Sequence, residues 1–216
     1  MKNNVKVILS VVAVLAIIVL VGGGTYAYWS WSTSEDQRTL VTISVKGATM
    51  LIDGGGNISS SDKTLIPTTC TDTTNAIQRK IMVSTENQTN TAMTETLQLD
   101  IVNMTAAQGS LTDAQKAKLK WTLVELADET EYNATTWKGC ATTTYSGTFE
   151  GYDQTDKISL KTTNIAASTT VTKYYELYLW LDSTYEHTNV GNTQSDPMQN
   201  LTLNLSWNGT LEQVHE

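Results

Sequence analysis

Histidine is scarce in this chain, which limits the catalytic chemistry that the sequence can support. The only histidines are His187 and His215. A catalytic zinc ion usually needs several nitrogen or sulfur ligands, and no His-Glu-x-x-His stretch is present. A Ser-His-Asp triad would have to use His187 as its base, and the Gly-x-Ser-x-Gly sequence of a nucleophile elbow is absent. We therefore expect no catalytic residues and predict that the protein is not an enzyme.

The loop at 182–197 is the densest local source of oxygen ligands. Its carboxylates and amides include Asp182, Glu186, Asn189, Asn192 and Asp196. Calcium is the ion that such a loop would suit, since it takes about six to eight oxygen ligands. The spacing matches no EF-hand loop, however, and acidic loops are usually solvated. We favour a solvated loop and predict no metal and no cofactor.

The N-terminus has the layout of a secretory signal peptide. Lys2 and Lys6 form a basic start, and the run Val7–Val21 is apolar except for Ser10. Glycines and other small residues follow, and the best cleavage site is after Ala27. Because the lysines precede the apolar run, the positive-inside rule places the remainder outside the cytoplasm. We expect an extracellular or cell-surface protein.

An uncleaved membrane anchor is the alternative. The stretch from Val5 to Trp29 supplies the roughly 20 residues that a helix needs to cross a bilayer, with the aromatic residues at its interface. Membrane contact would then be confined to residues 1–29. Cleavage is the preferred interpretation, because the apolar core is short and the glycines after it disfavour a continued helix.

The composition restricts the partners and the fold class. The formal net charge is -8 at pH 7, and loss of Lys2 and Lys6 with the leader would make it more negative. This balance argues against nucleic acid and against anionic lipid as partners. Threonine is abundant and favours strands, while a chain with only two prolines is unlike a mucin stalk.

Apolar and polar residues alternate along much of the chain, as expected for half-buried strands. Leu119, Trp121 and Leu123 show this period of two, and Leu201–Trp207 repeats it. The predicted strands are Val41–Val45, Met50–Ile52, Ile77–Ser84, Thr96–Asn103, Leu119–Leu126, Thr142–Phe149, Lys157–Thr162, Lys173–Asp182 and Leu201–Trp207. The expected fold is mainly β, an antiparallel, jelly-roll-like β-sandwich preceded by an N-terminal hydrophobic helix.

One short helix is predicted near residues 112–119. Thr112 and Gln115 have the spacing of a capping box, in which each side chain bonds the other residue's amide. The predicted organisation is a signal peptide or anchor at 1–27, an N-terminal strand segment at 28–46 and a β-sandwich domain at 47–216.

Cys70 and Cys140 are the only cysteines. In an oxidising compartment they could form a disulfide across a long loop, worth about 4 kcal/mol in the chain-entropy description. Two free or buried thiols are the other interpretation, and the sequence leaves both open.

The segment that follows Ala27 suggests an assembly element. Trp29 and Trp31 fall on one face of an extended segment, with serines on the other. One interpretation is that these tryptophans cover the protein's own core or lie at a membrane interface. The other is a strand donated to a neighbouring subunit. The candidate assembly residues are Tyr28, Trp29, Trp31, Val41, Ile43 and Val45.

The stretch Gly24-Thr25-Tyr26-Ala27-Tyr28-Trp29-Ser30, after a short apolar core, resembles the leaders of the TasA/camelysin-type exported proteins of Gram-positive bacteria. The resemblance implies a secreted jelly-roll protein. For TasA-like members it implies a biofilm-matrix fibre built by N-terminal donor-strand exchange. A later family segment, an aromatic residue and then Ala-Gly-x-Leu-x-Leu, is matched only loosely by Gly47–Leu51.

Three functions are therefore expected, in decreasing order. The first is a secreted or surface structural protein that associates with itself into filaments or matrix by strand donation. The second is a monomeric module that binds glycan or protein through exposed aromatics such as Trp137 or Tyr185 and the loop at 182–197. The third is a camelysin-like metalloprotease, which the sparse histidines do not support.

Overall fold

The structure, a computed structural model, describes residues 40–45, 47–60, 65–70, 72, 75–106, 110–140, 145–185, 198 and 201–214. The predictions for the leader, for cleavage at Ala27 and for Tyr28, Trp29 and Trp31 fall outside these residues, as does most of the loop at 182–197. Among the described residues, no helix is long and apolar enough to cross a bilayer.

The described part of the chain consists of strands joined by loops and two short helices, so the fold is mainly β, as predicted. The strands are β1 Leu40–Val45, β2 Ala48–Asp53, β3 Ile58–Ser59, β4 Pro67–Thr68, β5 Ile77–Asn87, β6 Met93–Thr105, β7 Leu119–Leu126, β8 Tyr145–Thr148, β9 Lys157–Ile165, β10 Thr169–Asp182 and β11 Thr202–Gln213. The helices are α1 Asp113–Lys116 and α2 Glu129–Asn133.

The strands form two sheets. The larger sheet has the order β1-β2-β5-β10-β7-β8, with β4 beside β10, and the smaller has the order β3-β11-β6-β9. All pairs are antiparallel except β4 with β10. From β5 to β11, every connection apart from β7–β8 passes from one sheet to the other. Apart from the β1–β2 and β7–β8 pairs, neighbouring strands in the two sheets are therefore not consecutive in sequence.

Inward-facing side chains of the two sheets share one apolar core. Leu119 and Leu123 of β7 and Leu203, Leu205 and Trp207 of β11 are all buried in it. Full burial of such a side chain stabilises the fold by about 2 kcal/mol. The predicted alternation in these two strands is thus confirmed, because its apolar positions are the ones that face the core.

The helix predicted at 112–119 is shorter than expected. Its start is as predicted, since the Gln115 amide donates to Thr112 Oγ1 at 3.3 Å and the Thr112 amide donates to Gln115 Oε1 at 2.9 Å. The helix ends at Lys116 because the chain joins β7 at Leu119, where it pairs with Leu181 of β10.

A second helix, α2, was missed, so the prediction of a single helix was wrong. Asp128 caps α2 by accepting two amide hydrogen bonds at 2.9 and 3.0 Å. The segment after α2 lies on the outer face of the larger sheet, where a disulfide joins Cys140 to Cys70. Lys80 Nζ lies within hydrogen-bonding distance of four backbone carbonyls between residues 131 and 136, the nearest being Ala134 O at 2.6 Å.

Candidate assembly interface

β1 is an edge strand of the larger sheet and carries three of the predicted assembly residues. Val41 and Ile43 are half-buried and pack against the core, whereas Val45 is 40% exposed and Leu40 59% exposed. Among the described strands, β1 pairs only with β2. The structure therefore brings Val41 and Ile43 together on the inner face and leaves Val45 accessible at the end of the strand.

The composition of β1 suits pairing with another chain. Its six residues, Leu-Val-Thr-Ile-Ser-Val, include no charge, no proline and no glycine. Segments with high β-propensity and no charge are prone to strand pairing when they lie at an edge. Nothing in the residue types of β1 opposes the approach of a second strand.

Gly209 has no side chain, and neighbouring side chains take the space that this leaves in the core beneath β1. We call this space the gap at Gly209. It occupies an inward position of β11, between Trp207 and Leu211. A Cβ atom at this position would lie 2.8 Å from Met50 Sδ and 3.0 Å from Ile43 Cδ1. Met50 and Ile43 therefore fill the space that a side chain at 209 would take. Sequence reasoning missed this glycine, although it interrupts the apolar alternation of β11.

The outer edge of β11 is only partly covered by described strands. β6 pairs with β11 along Thr202–Gln213, whereas on the other side β3 pairs with it only at Asn204 and Leu205. The edge strands β1 and β3 lie beside the partly uncovered β11, since β11 pairs with β3 and contacts both β1 and β2. We call this the β1 side of the domain, and the opposite side, formed by β8 and β9, the β9 side.

The β9 side contains a β-bulge that redirects a lysine. Lys161 pairs with Leu97 and Ser159 with Gln98, so Leu160 is an extra residue between them. Because Leu97 faces the core, Lys161 also faces inward. A bulge shifts the alternation of a strand by one residue, and simple alternation would have placed Lys161 outside.

Lys161 enters a polar cluster between the two sheets. Its Nζ lies 2.6 Å from Glu125 Oε2, and a second lysine, Lys173, lies 2.7 Å from Glu125 Oε1. The Lys161 ammonium is also 4.8 Å from the centre of the Tyr145 ring and 5.1 Å from that of Tyr175. Only 9% of the Lys161 side chain is exposed. The cluster thus joins β9 of the smaller sheet to β7, β8 and β10 of the larger one.

A buried carboxyl lies at the same end of the core. Glu95 of β6 pairs with Thr163 of β9 on the inner face and accepts a hydrogen bond from the Thr85 hydroxyl. Sequence reasoning missed Glu95, Glu125 and Lys173. Their sequence pattern could have identified them, because each is a charged residue at an inward position of an otherwise apolar alternation.

The electrostatics of this cluster keep the ion pair charged. Burial raises the pKa of Glu95 above its ordinary value, despite the hydrogen bond from Thr85. Burial also acts to raise the pKa of Glu125, but hydrogen bonds from Lys161 and Lys173 outweigh it and lower that pKa. Burial acts to lower the pKa of Lys161, and its hydrogen bond to Glu125 reverses this, so that its pKa is raised.

The two aromatic residues proposed for ligand binding are not freely exposed. Tyr185 is buried in the main core, so its prediction as an exposed side chain was wrong. Trp137 is partly buried; its ring meets Tyr178 edge-on at 6.0 Å between centroids and lies 5.5 Å from Lys80 Nζ. Both rings contribute to packing on their respective faces.

The described residues at the start of the loop at 182–197 make contacts within the chain. The Asp182 carboxylate pairs with Lys120 and accepts from the Thr184 amide at 2.8 Å, and these contacts hold the pKa of Asp182 well below its usual range. Within the described ranges, no group of three or more His, Cys, Asp or Glu residues is arranged to hold a metal ion.

Comparison of the chain with protein-family models and with curated proteins gave no match.

Proposed function

We propose that this protein is an extracellular structural protein that associates with itself by exchanging β1 between copies. The observation that supports the proposal is the position of Ile43. An uncharged edge strand inserts this side chain into the gap that Gly209 leaves in β11. A strand at an edge, held by few inward side chains in a preformed gap, is suited to replacement by an identical strand from a neighbour.

Exchange would preserve the contacts that β1 makes within a single chain. The β1 strand of a neighbour would restore the pairs Val41–Ile52 and Ile43–Met50. The turn at Gly47, which has a positive φ of 80°, would open and act as the hinge. If each copy donates its strand to the next, the contact is head-to-tail and grows into a filament.

The proposal includes the export and the finer fold that the sequence predicts. The repeated crossing of the chain between the two sheets supports a jelly-roll β-sandwich. A net charge of -8 suits a soluble surface or matrix component. Cleavage after Ala27 would release the chain and free the segment 28–39 to extend the donated strand.

The test compares two lysine substitutions in neighbouring positions of β1. Ile43→Lys places an ammonium group in the gap at Gly209, whereas Ser44→Lys adds the same charge to an exposed position. We expect light scattering and electron microscopy of purified protein to show assemblies for the wild type and for Ser44→Lys, and monomers for Ile43→Lys. Equal assembly of both variants, or a wild type that stays monomeric at every concentration, would contradict the proposal.

A further inference from the structure

We propose that Lys161 prevents strand addition at the β9 edge and thereby restricts association to the β1 side. The inference deepens the proposed function, since it names the residue that decides which edge takes part. It rests on the geometry of β9, on the charges around Lys161 and on the contrast with β1.

β9 has the length and position of an edge that could recruit another chain. It spans nine residues, and among the described strands it pairs only with β6. Its outward backbone groups therefore form a candidate ladder for a second strand. In length, β9 exceeds β1, which has six residues.

The bulge interrupts this ladder near its centre. At Leu160 the spacing of the backbone groups is broken, and Lys161 follows with its side chain directed inward. Natural edge strands are protected from aggregation by the same two features, a bulge and an inward-pointing charge. A strand added beside β9 would place an inward side chain next to the Lys161–Glu125 pair and remove water from the Glu125 carboxylate, whose side chain is 27% exposed.

Symmetry makes the lysine especially effective against a second copy of this chain. Two identical edges pair around a two-fold axis. Lys161 is the central residue of Lys157–Ile165, so an antiparallel β9–β9 pair in the centred register would place the two Lys161 residues opposite each other. Like charges directly opposite in a ladder are destabilising. A shift in register would leave fewer residues paired.

β1 has neither a bulge nor an inward-pointing charge. The β1–β2 register is regular from Leu40 to Val45, and the strand carries no charge. Its inward residues Val41 and Ile43 pack against apolar groups. The two edges therefore differ in the chemistry of their inward positions, and only β9 carries a charged one.

The experiment compares Lys161→Met with Lys173→Met in the full chain. Both remove a lysine that contacts Glu125, but Lys173 lies on β10, an interior strand. We expect Lys161→Met to associate with a dissociation constant about tenfold lower than that of the wild type. We also expect hydrogen exchange at β9 amides to slow. Lys173→Met should match the wild type in both measurements.

The double variant Lys161→Met/Glu125→Leu replaces the ion pair with apolar side chains and keeps the test valid if the single variant does not fold. The inference would be overturned if folded Lys161→Met, or the folded double variant, associated no more tightly than the wild type. It would also be overturned if either variant associated more tightly without slower hydrogen exchange at the β9 amides. The proposed function is tested separately with Ile43→Lys. Whatever that test shows, hydrogen exchange at the β9 amides still reports whether a strand is added at β9.

Discussion

The β1 side and the β9 side of the domain each end in an edge strand, but the two strands differ in their inward chemistry. On the β1 side, Ile43 and Met50 fill the gap at Gly209 without any charge. On the β9 side, Lys161 and Glu125 form an ion pair between the sheets. The backbone ladder also differs, because β1 is regular from Leu40 to Val45 whereas β9 is interrupted by the bulge at Leu160. The two edges therefore differ both in their inward side chains and in the regularity of their backbone, and the proposed exchange of β1 depends on these differences.

The largest effect is expected on the β9 side from loss of the shared carboxylate. Glu125→Leu leaves the enclosed Lys161 ammonium without its nearest anion, and removal of one member of a buried pair costs about 3 kcal/mol. Urea denaturation of Lys173→Met provides the comparison. Because the Lys173 side chain is 40% exposed, its loss should cost less than about 1 kcal/mol. Similar free energies of unfolding for the two variants would show that the β9 side does not depend on this ion pair.

A smaller effect is expected on the β1 side from filling its gap. Gly209→Ala adds a Cβ that must displace Met50 or Ile43, and overpacking of this kind costs about 2 kcal/mol. The variant should unfold at lower urea concentration and should assemble less, because the exchanged strand needs the same gap. Thr210→Ala is the control, since Thr210 is the next residue and faces outward. If Gly209→Ala assembled as well as this control, the gap would not be the position that holds β1.

The smallest effect is a change in pH dependence at Glu95. Its folded-state pKa lies above the ordinary value of 4.5, so its contribution to stability is fully present below that pH and is lost as the pH rises through the folded-state pKa. Glu95→Gln, which can still accept from Thr85, should remove this loss. Urea midpoints at pH 4.5 and pH 7.5 should therefore differ less in the variant. An unchanged difference would indicate that Glu95 does not titrate on the acid side of neutrality.

The main features of the fold could be predicted because apolar and polar residues alternate regularly in strands that have a paired strand on each side. β7 was predicted with its correct bounds, Leu119–Leu126. The alternation predicts a strand at Leu201–Trp207, yet β11 continues through Asn208 and Gly209 to Gln213. Its pairing with β6 carries the strand through these residues, and local sequence gives no sign of that partner.

The candidate site was harder to predict, because two of its features depend on tertiary structure. Val41 and Ile43 were identified from alternation alone. The direction of Lys161 depends on the bulge at Leu160, which exists only in the register with β6. The sequence also predicts an exposed Tyr185 in the loop at 182–197, but this side chain packs into the core just after β10. In these cases the neighbour across the sheet, not the adjacent residue, sets the environment.

A disulfide-trapping experiment with two variants, each with one added cysteine, tests strand exchange most directly. Ser44 and Thr49 lie opposite each other in the β1–β2 pair, a separation that a disulfide can bridge. Chains with Ser44→Cys are mixed with chains with Thr49→Cys, allowed to assemble and mildly oxidised. Exchange of β1 predicts covalent dimers that contain one chain of each kind. Assemblies that form without such mixed dimers would contradict the account.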